Sequence, residues 1–316
     1  MREITINNND KGQTLIKFLE KYLEGAPKSV IQKFIRKKRI KVNGKKQESS
    51  YKLALGDRVN IYIYDEVIEE WNKKAKNNKV HSKLNLDIAF ENGDIVVIDK
   101  PIDILSHPAS ERDYGSTVVD FLVSYLIDKG DYQPRLEHSF TPAIVNRLDR
   151  NTMGLIIGAK NRDSLVTLNK SIDTVKVEKI YIAIVEGAFR GERSVTNFLE
   201  KDEKNVVHVS DSDGGKRAQT HIKALEMGKK YSLVEVRITT GRTHQIRATL
   251  SDLGYPIVGD RKYNRKKHRG INHQQLAAYK LKFADDFEIE SLRNLSIVSG
   301  LSKSIYDVFN ELQERK

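Results

Sequence analysis

Residues 175–187 constrain the fold more than any other stretch, because they are apolar on both faces of a strand. Ile180, Ile182 and Ile184 fall on one side; Val177, Tyr181, Ala183 and Val185 fall on the other. A strand that can leave neither face to water must lie inside a sheet covered on both sides. Residues 231–238 read as a second strand, and residues 94–99 as a short buried one ended by Lys100-Pro101. Helices are expected over 118–129, with Leu122, Tyr125 and Leu126 on one face, and after Asn161, with Leu165, Leu168 and Ile172 turned inward. Strands and helices alternate here without regular βαβ spacing. That predicts an α+β domain with a central, largely antiparallel sheet flanked by helices and loops. No G-x-G-x-x-G follows a strand and no P-loop is present, so no nucleotide cofactor is expected.

With 316 residues the chain exceeds ordinary single-domain size, and its first part has a different character. Over residues 12–23, Leu15, Phe18, Leu19, Tyr22 and Leu23 recur at helical spacing, with Thr14 placed to cap. A second helix begins near Ser29, with Val30, Ile31, Phe34 and Ile35 as its apolar stripe. Ile40-Lys41-Val42 followed by Asn43-Gly44 is a hairpin signal, since a type I′ turn needs positive φ at both central residues. A later strand alternates Val59, Ile61 and Ile63.

Across 28–58, eleven Lys or Arg stand against two acids, Glu48 and Asp57, an excess of nine out of a net charge of +12. A solvated face normally mixes both signs. This one predicts a phosphate-contacting surface made by Lys33, Arg36, Lys37, Lys38, Arg39, Lys41 and Lys45, and hence an RNA partner. Residues 65–84 are charged and Asn-rich without sustained periodicity, and are expected to link a module over 1–64 to a larger domain over 85–316. Trp71 is expected to pack at the junction rather than stack on a base.

The absence of cysteine excludes disulfides, thiolate catalysis and cysteine-held metals. The eight histidines show no H-x-x-x-H pairing, so no metal site is expected. The first ten residues lack an apolar core, and no run approaches the about 18 apolar residues of a membrane helix. A cytoplasmic protein with no membrane partner is the expectation, and nothing demands more than a monomer.

Two stretches carry chemistry. In residues 146–155, Asp149 stands between Arg147 and Arg150 on a loop feeding the apolar run Leu155-Ile156-Ile157. A charge at the edge of a core needs a partner or a task. In residues 240–256, Thr243 is placed to cap a helix that buries Ile246, Leu250 and Leu253 and ends at Gly254 and Pro256. Its opposite stripe, His244, Arg247 and Ser251, is either a phosphate site or a solvated face.

Residues 146–155 resemble the H-R-L-D-x-x-T-S-G-L signature of RluA-type pseudouridine synthases of large-subunit ribosomal RNA. Residues 100–108 (Lys-Pro-Ile-Asp-Ile-Leu-Ser-His-Pro) are similar to that family's opening motif, 179–187 to its tyrosine strand, and 240–263 to its third motif, all in family order. Residues 12–64 resemble an S4 RNA-binding domain. The resemblance implies a pseudouridine synthase fold preceded by a small α+β S4 domain, with structured RNA as partner and no cofactor. It implies Asp149 as the catalytic aspartate, acting at a target uridine so that the N1–C1′ bond breaks and the base is reattached through C5. Addition to C1′ and a glycal-like intermediate both stay open. By the same resemblance Arg247 pairs with that carboxylate, Arg147 enters the space the flipped base leaves, and Tyr181 lies against the base or moves a proton. Arg150, Arg242, His244 and Gln245 join them as RNA-contacting residues. The chain departs from the pattern at Asn146 (usually histidine), Met153 (usually serine), Asp103 (often glycine) and in Leu276-Ala277-Ala278.

Two other classes compete. One is an RNA-binding or ribosome-assembly factor with an inactive site. The other is a two-carboxylate glycosidase, disfavoured because the motifs give Asp149 no evident carboxylate partner. Taken singly, Asp149 would be a loop-capping aspartate, Tyr181 a core tyrosine and Arg247 a surface arginine.

Overall fold

The computed structural model describes the chain apart from residues 77–81, 83, 135–136, 204–205, 211–213 and 315–316. In the N-terminal part, β1 (Arg2–Thr5), α1 (Leu15–Tyr22), α2 (Lys28–Arg36), β2 (Ile40–Val42) and β3 (Arg58–Ile61) form a three-stranded antiparallel sheet, order β1-β3-β2, with two helices. Leu15, Phe18, Leu19, Ile31, Ile35, Val59 and Ile61 meet in one buried core, as the apolar spacing requires. Thr14 occupies the cap position of α1 in extended conformation, but its hydroxyl makes no capping bond. The Asn43-Gly44 turn forms with φ of 51° and 75°, closed by reciprocal Val42 and Lys45 backbone bonds. It does not lead into the partner strand, however: β2 pairs with the distant β3.

The stretch expected to be a linker without periodicity contains a helix, α3 (Asp65–Lys76). Ile68 is fully buried in the N-terminal core, and Trp71 packs against Phe34 at 6.3 Å between ring centroids. Three apolar side chains, Val67, Ile68 and Trp71, suffice to dock it, too few to register as a sustained pattern. The rest of the expected linker lies partly outside the described residues.

The larger part comprises β4 (Asp87–Glu91), β5 (Ile95–Lys100), α4 (Val118–Lys129), β6 (Ala143–Ile144), β7 (Met153–Ala159), α5 (Arg162–Asp173), β8 (Val177–Glu186), β9 (Glu192–Lys201), β10 (Val207–Ser210), β11 (Lys216–Met227), β12 (Tyr231–Ile238), α6 (Gln245–Asp252), β13 (Leu276–Phe283), β14 (Ser296–Val298) and α7 (Lys303–Glu314). Its sheet runs β10-β9-β11-β12-β8-β13-β7-β5-β4, with β14 on β13 and β6 on β7. Every pairing is antiparallel except that of β13 with β7. This is the α+β architecture the pattern predicts.

β8 is central and covered on both sides. Tyr181, Ala183 and Val185 join a core with Leu122 of α4 and Ile246 and Leu250 of α6. Ile182 and Ile184 face Ile305, Phe309 and Leu312 of α7, each such burial contributing roughly 1.5–3 kcal/mol. Thr117 caps α4 reciprocally with Asp120, and the Asn161 side chain accepts from Ser164 N at 2.8 Å to start α5. The two parts touch through a polar seam. Buried Asp10 accepts from Ser139 Oγ at 2.6 Å and lies 2.7 Å from His138 Nδ1, while Arg162 donates to Lys11 O at 2.7 Å. Among the described residues no helix is long and apolar enough to cross a membrane.

Candidate active site

The loop between β6 and β7 is held at nearly every residue. The Asn146 amide accepts from Ile157 N at 2.8 Å and donates to Leu155 O at 3.1 Å, tying the loop back to β7. Buried Ser106 grips Leu148 from both ends: Leu148 N donates to its hydroxyl at 3.0 Å, and the hydroxyl donates to Leu148 O at 2.8 Å. The fully buried Lys100 donates to Arg150 O at 2.9 Å as well as to the Pro101 and Ile104 carbonyls. Thr152 N donates to Asp149 O at 3.0 Å, and Thr152 Oγ1 accepts from buried Gln274 at 2.9 Å.

Gly154 then admits the chain to β7. Its φ is 110°, and a β-carbon there would collide with the Ala278 carbonyl of β13. Of the departures from the family pattern, Met153 packs toward α7 and its sulfur lies 3.4 Å from Ser304 Oγ, and Asp103 holds a φ of 67°, the backbone region that favours the glycine often found there.

So fixed, Asp149 presents a carboxylate that is 29% exposed to the Arg247 guanidinium, which donates to it from Nη1 at 2.7 Å. Arg247 is itself clamped from behind: Nε and Nη2 donate to the two oxygens of Asp260 at 2.7 and 2.8 Å. Asp260 is 1% exposed and also accepts from the Lys262 and Tyr263 backbone N–H groups. The Tyr263 ring lies 5.0 Å from the guanidinium carbon. Burial pulls the Arg247 pKa down, but the bond to Asp260 and the charges of Asp260 and Asp149 outweigh it and hold the cation above its ordinary value. A permanently charged arginine therefore bridges one buried and one accessible carboxylate.

α6 does not start as the sequence suggests. Its cap is His244, in left-handed conformation at φ 52°, rather than Thr243. Nor is the His244-Arg247-Ser251 stripe an open solvated face: Arg247 is buried, and His244 and Ser251 are half-buried. His244 Nδ1 lies 2.9 Å from the Tyr263 hydroxyl and Nε2 lies 3.7 Å from Asp149. Burial lowers the imidazole pKa against the attraction of Asp149. Gln245 is buried, and its amide braces the wall: it accepts from Thr240 Oγ1 and Arg242 N, and donates to Gln219 O and Thr220 Oγ1. Those internal bonds leave it a support for the wall rather than the RNA contact expected of it.

Tyr181 projects from β8 into the same cavity, of about 290 Å³, together with Asp149, Lys179, Arg242 and Arg247. Burial, then the nearby Asp149 charge, raises its phenol above the ordinary value, so it is neutral at physiological pH and makes no hydrogen bond among the described residues. A second cavity of about 320 Å³ opens on the other side of Asp149, lined by Ser106, His107, Arg150 and Asn151. Arg147, Arg150 and Arg242 are exposed around the two, Arg242 donating to Arg217 O at 3.1 Å. Among the described residues no three His, Asp or Glu side chains cluster as metal ligands.

The structure thus brings Asp149, Tyr181, Arg247, Arg147, Arg150, Arg242 and His244 to one place. Lys33, Arg36, Lys37, Lys38, Arg39 and Lys45 lie instead on the N-terminal module, exposed, and Lys41 is half-buried with its ammonium 5.3 Å from the Tyr62 ring centroid. Sequence reasoning missed the roles of Asp260, Ser106 and Lys100. Only the φ of 76° at Gly259, where a β-carbon would strike the His273 carbonyl, marks the turn that aims Asp260 inward, and no local pattern announces it.

Comparison with known proteins identifies the family and the fold. The RNA pseudouridylate synthase family profile matches residues 94–252, and the S4 domain profile matches 13–59. An uncharacterized RNA pseudouridine synthase of Mycoplasma capricolum is 34% identical over 292 residues, covering 90% of this chain and 92% of its own. Ribosomal large subunit pseudouridine synthase D of Borreliella burgdorferi is 32% identical over 269 residues, covering 84% and 79%. The fold is shared with human RNA pseudouridylate synthase domain containing 4, at a TM-score of 0.55 and 21% identity over 71% of this chain and 92% of that one. The chain belongs to the RNA pseudouridylate synthase family, with an S4 domain preceding the synthase domain.

Proposed function

We propose that this pseudouridine synthase acts on uridine in large-subunit ribosomal RNA, with Asp149 as its catalytic carboxylate. Relatives named for the large ribosomal subunit, aligned over most of the chain, support the substrate class. The observation that carries the catalytic assignment is the 2.7 Å ion pair of a partly exposed Asp149 with a clamped Arg247 at the mouth of a cavity. The ion pair with the clamped arginine holds the carboxylate in one orientation at the cavity mouth, the positioning that chemistry at C1′ needs. The target base leaves its stack at a cost of a few kcal/mol, which contacts in the pocket and Arg147 in the vacated space offset.

The N1–C1′ bond breaks, the base turns, C5 bonds to C1′, and the C5 proton is lost while N1 gains one. Tyr181, a neutral phenol on the cavity wall, lies against the base and can pass a proton. Arg150, Arg242 and His244 contact RNA around the cavity, and Gln245 keeps their wall in shape. A module over residues 1–64 holds structured RNA through its exposed Lys and Arg face, and delivers it to a domain over 85–316 acting as a monomer in the cytoplasm.

The test is tritium release from ribosomal RNA labelled at uridine C5, taken from a strain lacking the enzyme. Release is expected with wild type and not with Asp149→Asn, which still binds RNA in a gel shift. No release by wild type overturns the assignment.

A further inference from the structure

Beyond the S4 face lies a second concentration of positive charge. Residues 261–269 carry Arg261, Lys262, Arg265, Lys266, Lys267 and Arg269 with no acid among them. All six are exposed. The segment is nonetheless well anchored. Asn264 donates to Ile257 O at 3.0 Å, and the buried Glu186 of β8 holds His268 Nε2 at 2.5 Å and Lys266 Nζ at 3.1 Å. Ser251 of α6 donates to Tyr263 O at 3.1 Å. One acid thus fixes the base of the loop, while Arg265 and Lys267 make no ion pair or hydrogen bond among the described residues. So many like charges on a short fixed loop repel one another, and a polyanion relieves that repulsion.

The position decides which polyanion. The loop leaves directly from Asp260 and Tyr263, the residues that clamp and stack on Arg247. It walls a depression of about 550 Å³ in which only Ile271 is apolar. A protein-binding surface would centre on a cluster of aromatic or aliphatic anchors, and this one offers only Ile271, which is half-buried and packs against the core beneath. The loop begins one residue after the acid that clamps the arginine paired with Asp149, and that continuity argues for phosphates flanking a uridine bound beside Asp149 as its partner.

We propose that the 261–272 loop is a second RNA-backbone clamp, separate from the S4 face, which grips phosphates flanking the target uridine through Arg265 and Lys267. The inference rests on the RNA substrate assigned above. Its test compares Arg265→Ala/Lys267→Ala with a control of equal charge change at exposed sites elsewhere, Lys229→Ala/Lys282→Ala. Binding of in vitro transcribed large-subunit ribosomal RNA is measured by filter retention from about 50 to 200 mM salt, the range over which phosphate contacts are lost.

Each lost phosphate contact lowers the slope of log K against log salt by about 0.7–0.9, so the loop variant should fall by roughly 1.4–1.8 and the control should not. In tritium release KM should rise with kcat held, the mark of lost uniform binding. Equal slopes for loop variant and control, or a fall in kcat at unchanged KM, overturns the clamp. Wild type that binds this RNA with the loop-dependent slope yet releases no tritium would refute the catalytic assignment and leave the clamp standing.

Discussion

Arg247 divides its charge between two carboxylates that do different work, and replacing each by its amide should separate stability from chemistry. Asp260 is 1% exposed and accepts four hydrogen bonds, two from Arg247 at 2.7 and 2.8 Å and two from backbone N–H groups at 3.0 and 3.2 Å. In Asp260→Asn one acceptor becomes an N–H pointed at another donor, and the guanidinium loses its buried counter-charge. Removing one partner of a buried pair destabilises by about 3–5 kcal/mol, and since Asp149 still pairs with the cation the lower end applies. For a domain of this size about 3 kcal/mol corresponds to a Tm lower by roughly 6–12 °C.

Asp149 is 29% exposed, and its amide variant leaves Arg247 clamped to Asp260, so its Tm should move by no more than a partly exposed pair is worth, ~1 kcal/mol. Activity runs the other way. Asp149→Asn should abolish tritium release, while Asp260→Asn lowers kcat through a loosened Arg247. Thermal melts by circular dichroism and single-turnover release on the same preparations make the comparison. Equal Tm shifts in the two variants, or an Asp260→Asn enzyme with wild-type Tm and kcat, would refute the division of roles.

Gly154→Ala should cost about 2 kcal/mol or more, because the site combines φ 110° with a backbone carbonyl where the methyl would sit; an unchanged urea midpoint would contradict this. Burial pushes the Lys100 ammonium down to about 7, against the attraction of Asp149. Between that value and the about 10.4 of an unfolded lysine, the unfolded chain binds the extra proton, so stability attributable to this group rises with pH. Unfolding free energy measured from pH 7 to 10 should therefore climb more steeply in wild type than in Lys100→Gln, by at most about 1.4 kcal/mol per pH unit, and parallel curves would show that the group does not titrate there.

Elements defined by their own periodicity were legible in the sequence. The helix Val118–Lys129 and the strand Tyr231–Ile238 have the expected ends, and β8 has the two covered faces its residues demand. Elements held by few contacts were not. Residues 65–76 form a helix because Val67, Ile68 and Trp71 find a core to join, and Asn43-Gly44 makes its turn without making a hairpin because β3 offers the longer pairing. The stripe His244-Arg247-Ser251 looked polar and outward by composition alone. Its arginine is buried because two carboxylates, one 98 positions away and one 13, compensate it, while His244 and Ser251 stay half-buried.

The sequence by itself determined the family motifs and their order, the central strand, the basic N-terminal surface and the carboxylate to suspect. Those are properties of residue type and short spacing, which local geometry translates directly. The tertiary structure alone decided which partners that carboxylate has. Parallel pairing of β7 with β13 across Gly154, the Gly259 turn that sends Asp260 inward, and the Ser106 and Lys100 braces on the loop all join residues far apart in the chain. An ion pair between buried groups depends on distance and desolvation, and neither quantity exists until the chain has folded.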